Sequence, residues 1–268
     1  MLEFLKATAL GVVEGITEWL PVSSTGHLIL ANEFINLDMS QSFINTFNVV
    51  IQLGAILAVL VIFFNKLNPF ASSKNEIEKK DTINLWTKVI IAVIPSGILG
   101  VLFDDFIEEK FFNPTVVAMA LIIYGVIMIV LESRNKESKI KDFKELTYKT
   151  AIGIGLFQCL ALIPGTSRSA STIIGAVILG TSRYIATEFS FFLAIPTMVG
   201  ASALKLIKCG FAFTGIEWAI LLTGSIVSFI VSVVVIKYLL AYIKKHDFKV
   251  FGYYRILLGI VILAYFLI

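Results

Sequence analysis

Gly11–His27 reads GVVEGITEWLPVSSTGH and Gly155–Ser171 reads GLFQCLALIPGTSRSAS, and the fold turns on what these two stretches do inside an apolar chain. Each begins as an apolar helix-forming pattern, breaks at a proline (Pro21; Pro164 followed by Gly165) and resumes through hydroxyl residues. A proline removes a helical hydrogen bond and interrupts the run, so the segments at about 1–32 and 150–180 do not read as simple spans. Non-helical backbone at membrane depth is tolerated only where it is buried in protein or lines a wet cavity. Each segment is therefore expected to be a re-entrant helix pair with its proline at the tip.

Around them the chain is 57% hydrophobic and 15% charged over 268 residues, which excludes an ordinary soluble domain. Apolar runs at about 47–64, 89–103, 115–131, 189–204, 216–236 and 251–268 approach the length that crosses a bilayer as a helix, and they predict six transmembrane helices. Aligning the two broken stretches from Gly11 and Gly155 takes a one-residue slip before the proline, and three spans follow each. An odd number of spans per half turns the halves in opposite directions, the plan that places a site at the interface of inverted repeats. The expected fold is all-α: one integral membrane domain over 1–268, with six transmembrane helices plus two re-entrant helix pairs in an inverted-topology repeat. Its halves are 1–134 and 145–268.

Charge sets the expected orientation. Lys66, Lys74, Lys79, Lys80 and Lys88 mark one loop; Arg134, Lys136, Lys139, Lys141, Lys144 and Lys149 a second; Lys237, Lys244, Lys245 and Lys249 a third. The loops near 33–46 and 104–113 carry Glu33, Asp38, Asp104, Asp105, Glu108 and Glu109, with Lys110 as their only basic residue. The positive-inside bias puts the basic loops in the cytoplasm and the acidic ones outside. Glu3 and Lys6 precede an amphipathic start rather than a cleavable signal, so the first helix is expected to be retained. Cys159 and Cys209 lack metal-ligand spacing and read as packing residues, and a net charge of +3 suggests no nucleic-acid partner.

The chemistry concentrates at the two breaks. Glu14 and Glu18 are one helical turn apart and can reach a common point. Intramembrane carboxylates are costly and usually functional, and a pair of them suits a hard divalent cation, Mg²⁺ or Ca²⁺, or a general base. Ser23, Ser24, Thr25 and Gly26 read as the cap and first turn of a second helix, whose free amides face an anion, and His27 follows as an acid, base or nucleophile. In the second stretch Arg168 is flanked by Gly165, Thr166, Ser167, Ser169 and Thr172, a setting for bidentate capture of phosphate oxygens. The competing structural reading pairs Arg168 with Glu14 or Glu18 simply to balance charge. Ser171 and Gly175 read as packing positions. Two helix N-termini, an arginine, hydroxyls and a divalent ion within apolar walls describe a site for a phosphate or diphosphate on a hydrophobic tail.

The motif EGITEWLPVSSTGH, the later PGTSRS, the segment EFSFFLAIP (Glu188–Pro196) and the ending YRILLG (Tyr254–Gly259) together resemble the undecaprenyl pyrophosphate phosphatase, or bacitracin-resistance, family over essentially the whole chain. The resemblance implies hydrolysis of the C55 isoprenyl diphosphate carrier in the bacterial cytoplasmic membrane, which recycles it for peptidoglycan synthesis. It also implies a divalent-metal requirement and a site open to the external side. It carries the acidic pair to Glu14 and Glu18, the hydroxyl-histidine element to Ser24, Thr25 and His27, and the arginine element to Ser167 and Arg168. Whether Ser24, His27 or a metal-bound water attacks phosphorus stays open, and the expected assignment is Ser24 attacking with His27 assisting proton transfer. A flippase or transporter of polyprenyl phosphate is the rival reading, because broken helices are also transporter architecture. A homodimer is the candidate assembly.

Overall fold

The computed structural model describes residues 1–134, 137–209 and 213–267, and the described chain is helical almost throughout. Eleven α-helices follow in order: α1 (Leu2–Thr17), α2 (Ser24–Phe34), α3 (Gln41–Ile62), α4 (Phe64–Leu67), α5 (Glu76–Phe111), α6 (Pro114–Ser133), α7 (Tyr148–Cys159), α8 (Arg168–Ile178), α9 (Arg183–Cys209), α10 (Gly215–Ile243) and α11 (Lys249–Leu267). Six of them, α3, α5, α6, α9, α10 and α11, are long and apolar enough to cross a membrane, and they contain the six apolar runs of the sequence. Many of their large apolar side chains, such as Leu57, Val101, Ile230 and Leu257, point outward, as lipid-facing surfaces do.

Local sequence explains where the helices begin. Asn75 and Glu78 form a reciprocal capping box at the start of α5, and Thr214 and Glu217 form another at the start of α10. Asn113 caps α6 and Pro114 occupies its first position, where the missing N–H costs nothing. Several loop assignments change with these helices, with Glu33 on α2, Lys66 on α4, Lys149 on α7, Lys237 on α10 and Lys249 on α11. Asp104, Asp105, Glu108, Glu109 and Lys110 sit on the last turns of α5 rather than in a loop, and Lys79, Lys80 and Lys88 sit on its first turns. Both charge groups still fall at opposite ends of one long helix. Lys88 is buried, donating to the Phe143 carbonyl at 3.2 Å. Lys136 and the Cys209 side chain lie outside the described residues; Cys159 is a free, partly buried thiol.

The two breaks are built alike. After α1 the chain turns through Pro21, with the Val22 N–H donating to the Leu20 carbonyl at 2.7 Å, and α2 starts from Ser23 at φ 72°. After α7 and a short 3₁₀ turn, the chain passes Gly165 at φ 89° and starts α8 from Ser167 at φ 73°. These two serines are the positive-φ residues other than glycine among the described residues, and each caps its helix through Oγ, to Gly26 N–H and Ala170 N–H respectively. This corrects the alignment. With Ser23 set against Ser167, one constant separation also relates Gly11 to Gly155 and Glu14 to Gln158, and no slip is needed; Pro21 then matches Gly165 rather than Pro164. Gly165 cannot be replaced, since a Cβ there would lie 2.4 Å from the Val117 carbonyl oxygen on α6, at a backbone angle that side chains avoid.

Packing holds both breaks inside the bundle. α1 lies against α10 and α7 against α5, each at a glycine: a Cβ on Gly11 would stand 2.6 Å from the Gly224 carbonyl oxygen, and one on Gly155 2.0 Å from that of Ala92. α3 packs on α9 and α10, and α6 on α11. Trp19, between the first carboxylates and the turn, is fully buried edge-on to Phe191 of α9, with ring centroids 5.1 Å apart.

Candidate active site at the two helix breaks

The breaks bring residues from distant parts of the chain into one buried cluster. Glu18, at the end of α1, accepts from Ser24 Oγ at 2.7 Å through one oxygen and from Arg168 Nη2 at 2.9 Å through the other. Arg168 Nη1 donates to the backbone carbonyl and hydroxyl of Ser190 on α9, at 2.6 and 3.2 Å. The guanidinium also lies over the Trp19 ring, 5.7 Å from its centroid. Both carboxylates are buried, Glu14 at 0% and Glu18 at 5% exposure, which strengthens charge interactions there. Both oxygens of Glu14 lack a hydrogen-bond partner among the described residues.

Glu18, Ser24, Thr25, Gly165, Ser167 and Arg168 line a cavity of about 830 Å³. Gln41, Asn45, Asn48 and Gln52 line one wall from successive turns of α3. The opposite wall carries Gln158, whose Nε2 donates to Ser96 Oγ at 2.7 Å and Thr197 Oγ1 at 3.2 Å. Those two hydroxyls each follow a proline inside a long helix, Pro95 in α5 and Pro196 in α9. The cavity ends near exposed Glu108, beside its 3.2 Å ion pair with Lys205.

Other predicted residues take up different positions. Ser23 and Gly26 are joined by the α2 cap. Ser169 Oγ reaches the Glu18 and Leu20 carbonyls at 3.3 and 3.2 Å, and Thr172 Oγ1 donates to Ser190 Oγ at 2.7 Å, so both tie the second break to its surroundings rather than facing the cavity. The Thr166 hydroxyl turns back to the carbonyls of Leu160 and Ile163. Ser171 and Gly175 are packed, the latter against Phe157. His27 departs most from expectation. Its Nδ1 is 2.7 Å from the Ser23 carbonyl and its Nε2 is 2.7 Å from Tyr254 Oη, with the two rings stacked, so both nitrogens are engaged away from Ser24. The hydroxyl's partner is Glu18 instead.

Gln158, Ser190 and Tyr254 lie within the quoted stretches but were given no role there, and the α3 amides lie outside them. A signal existed for the last of these: four amide residues at helical spacing, Gln41, Asn45, Asn48 and Gln52, on a helix otherwise apolar enough to span a membrane.

Together these features define a polytopic membrane protein built around an internal carboxylate, arginine and serine cluster. Residues 7–261 match the family described as bacitracin resistance protein BacA. The chain is 72% identical over 266 residues to undecaprenyl-diphosphatase 1 of Clostridioides difficile (strain 630), covering 99% of this chain and 97% of that protein. It is 57% identical over 269 residues to the undecaprenyl-diphosphatase of Lachnoclostridium phytofermentans, covering 100% and 98% of the two chains. It is 55% identical over 267 residues to that of Enterococcus faecalis (strain ATCC 700802 / V583), covering 98% and 97%. The chain belongs to the BacA family.

Proposed function

We propose that this protein is a membrane phosphatase that hydrolyses undecaprenyl diphosphate to undecaprenyl phosphate and inorganic phosphate. The Ser24, Glu18 and Arg168 contacts at the lining of the cavity carry the reading. Glu18 takes the Ser24 proton as Oγ attacks the terminal phosphorus; the anhydride bond breaks and the lipid monophosphate leaves. Water then cleaves the phosphoserine, releasing inorganic phosphate and returning the proton to Ser24. Arg168 and the free amides at the starts of α2 and α8 stabilise charge on the transferred group. His27, held by Tyr254 and Ser23, orients the first turn of α2. The transport reading is set aside because the relatives carry the name of a diphosphatase.

Glu14 and Glu18 are the residues that would hold Mg²⁺ or Ca²⁺. The orphaned oxygens of Glu14 fit an ion that takes one or two carboxylates and completes its shell with waters and substrate phosphates. Among the described residues no group of three or more His, Cys, Asp or Glu could hold a metal, so such an ion depends on its substrate for part of its shell. When bound it would neutralise phosphate charge. Purified protein should release phosphate from a long-chain isoprenyl diphosphate, lose that activity in chelator and regain it with Mg²⁺ or Ca²⁺. Undiminished rates in chelator would remove the metal, and no phosphate release at all would remove the function. Substrate labelled in its terminal phosphate should mark Ser24, with no label in Ser24→Ala.

The finer architecture belongs to the same proposal. We read α1–α2 and α7–α8 as re-entrant pairs of two inverted halves, 1–134 and 145–268, meeting at the site. The matched strained serines and the constant separation from Gly11 to Gly155 support this. The cavity ends at the acidic end of α5, which the positive-inside bias puts outside, so the headgroup arrives from the external leaflet. With Cys159 and Cys209 replaced, a single cysteine at Asn36 should react with a membrane-impermeant thiol reagent in intact cells and one at Asn75 should not. The reverse pattern would move the opening to the cytoplasm.

A further inference from the structure

Arg255, in the YRILLG motif of α11, takes no part in the chemistry above, yet it is fully buried and its guanidinium ends between the two breaks. Nη1 donates to the Pro21 carbonyl at 3.2 Å, and Nη2 donates to the carbonyls of Gly165 and Thr166, both at 2.9 Å. These three carbonyls are its hydrogen-bond partners among the described residues, and its Nε has none. The Tyr124 ring of α6 lies 5.9 Å from the guanidinium carbon. Burying a guanidinium without a carboxylate is costly, and neutral turn carbonyls are a poor reason to do it.

Peptide geometry supplies a better reason. A trans peptide is planar, with its C=O and N–H on opposite edges. Drawing the Thr166 carbonyl towards α11 turns the next amide, that of Ser167, away from α11 and towards the cavity that Ser167 lines. That amide donates to no acceptor among the described residues, and its residue is held at φ 73°, a conformation that costs a serine free energy. The grip on Pro21 fixes the other turn, two residues before the equally strained Ser23.

We infer that Arg255 is a positioning residue for the hydrolysis: it holds both turns in register, aims the Ser167 amide at the transferred phosphoryl group and places a positive charge behind both helix starts. The inference rests on the proposed function. It explains why α11, remote in sequence from every motif of the site, carries an arginine at this depth.

The test compares purified Arg255→Lys and Arg255→Met with wild type in three measurements: kcat and KM for a long-chain isoprenyl diphosphate, binding of orthovanadate read directly by thermal shift, and the unfolding midpoint. A lysine ammonium is a point charge and cannot span carbonyls of two turns, so kcat should fall about a hundredfold in Arg255→Lys and further in Arg255→Met. KM should stay within about threefold and vanadate affinity should fall about tenfold, with the midpoint of the lysine variant near wild type. A folded lysine variant with wild-type kcat and vanadate affinity overturns the inference. So does failure to recover either variant folded, which would make Arg255 a folding determinant. If wild type releases no phosphate, the proposed hydrolysis fails instead, and vanadate binding still reads the turn geometry.

Discussion

Glu18→Gln should cut phosphate release by about a thousandfold or more, because in the proposed hydrolysis one side chain is both the base for Ser24 and the anchor for Arg168. The amide keeps the size of the carboxylate but accepts no proton at neutral pH, and it leaves a buried guanidinium without its counter-charge. The competing view gives Glu18 and Arg168 only the task of balancing each other's charge. Under that view, pairing Glu18→Gln with Arg168→Met removes both charges and activity returns, since an apolar replacement of a buried ion pair is often tolerated. The double variant is instead expected to stay inactive while folding normally. Measured kcat on equal amounts of folded protein decides between the two.

Arg168→Lys should lose about a hundredfold to a thousandfold in kcat, nearly as much as Arg168→Ala. Its guanidinium divides its donors between Glu18 and Ser190 while its face covers Trp19. A lysine ammonium can meet one of these demands at a time, so the Glu18 carboxylate would be left in a geometry that no longer favours the Ser24 proton. Full activity in the lysine variant would show that charge alone is enough. A partial loss confined to KM would assign Arg168 to substrate capture rather than to the transition state.

The six spans were readable because lipid imposes a simple requirement, a long apolar helix, and α3, α5, α6, α9, α10 and α11 meet it over the expected runs. The two breaks were readable for the opposite reason, since proline and hydroxyls in an apolar chain contradict a simple span. Partner choice was not readable. Sequence spacing allowed His27 to serve Ser24, but the turn at Ser23 directs the imidazole to Tyr254, far along the chain, and directs the hydroxyl to Glu18. Arg255 was hidden by its neighbours: a single cation in the run 251–268 does not prevent that run from reading as a span, and what the arginine meets depends on a tertiary approach of α11 to both turns. The match of Ser23 to Ser167 was obscured by aligning prolines, when the feature shared by the two breaks is the strained serine.

The Glu18–Arg168 bond joins residues 150 positions apart, and Arg255 lies further along still. A ribosome adding roughly 5–20 residues per second makes Glu18 on the order of ten seconds before its arginine exists. During that interval Glu18 lacks its counter-charge, and a lone carboxylate is costly in hydrocarbon, so stable burial of α1 and α2 is expected to await α8. Settling of the earliest segment thus depends on one made much later, and a chain stopped before α8 presents the quality-control machinery with an acidic pair of helices that lacks its arginine.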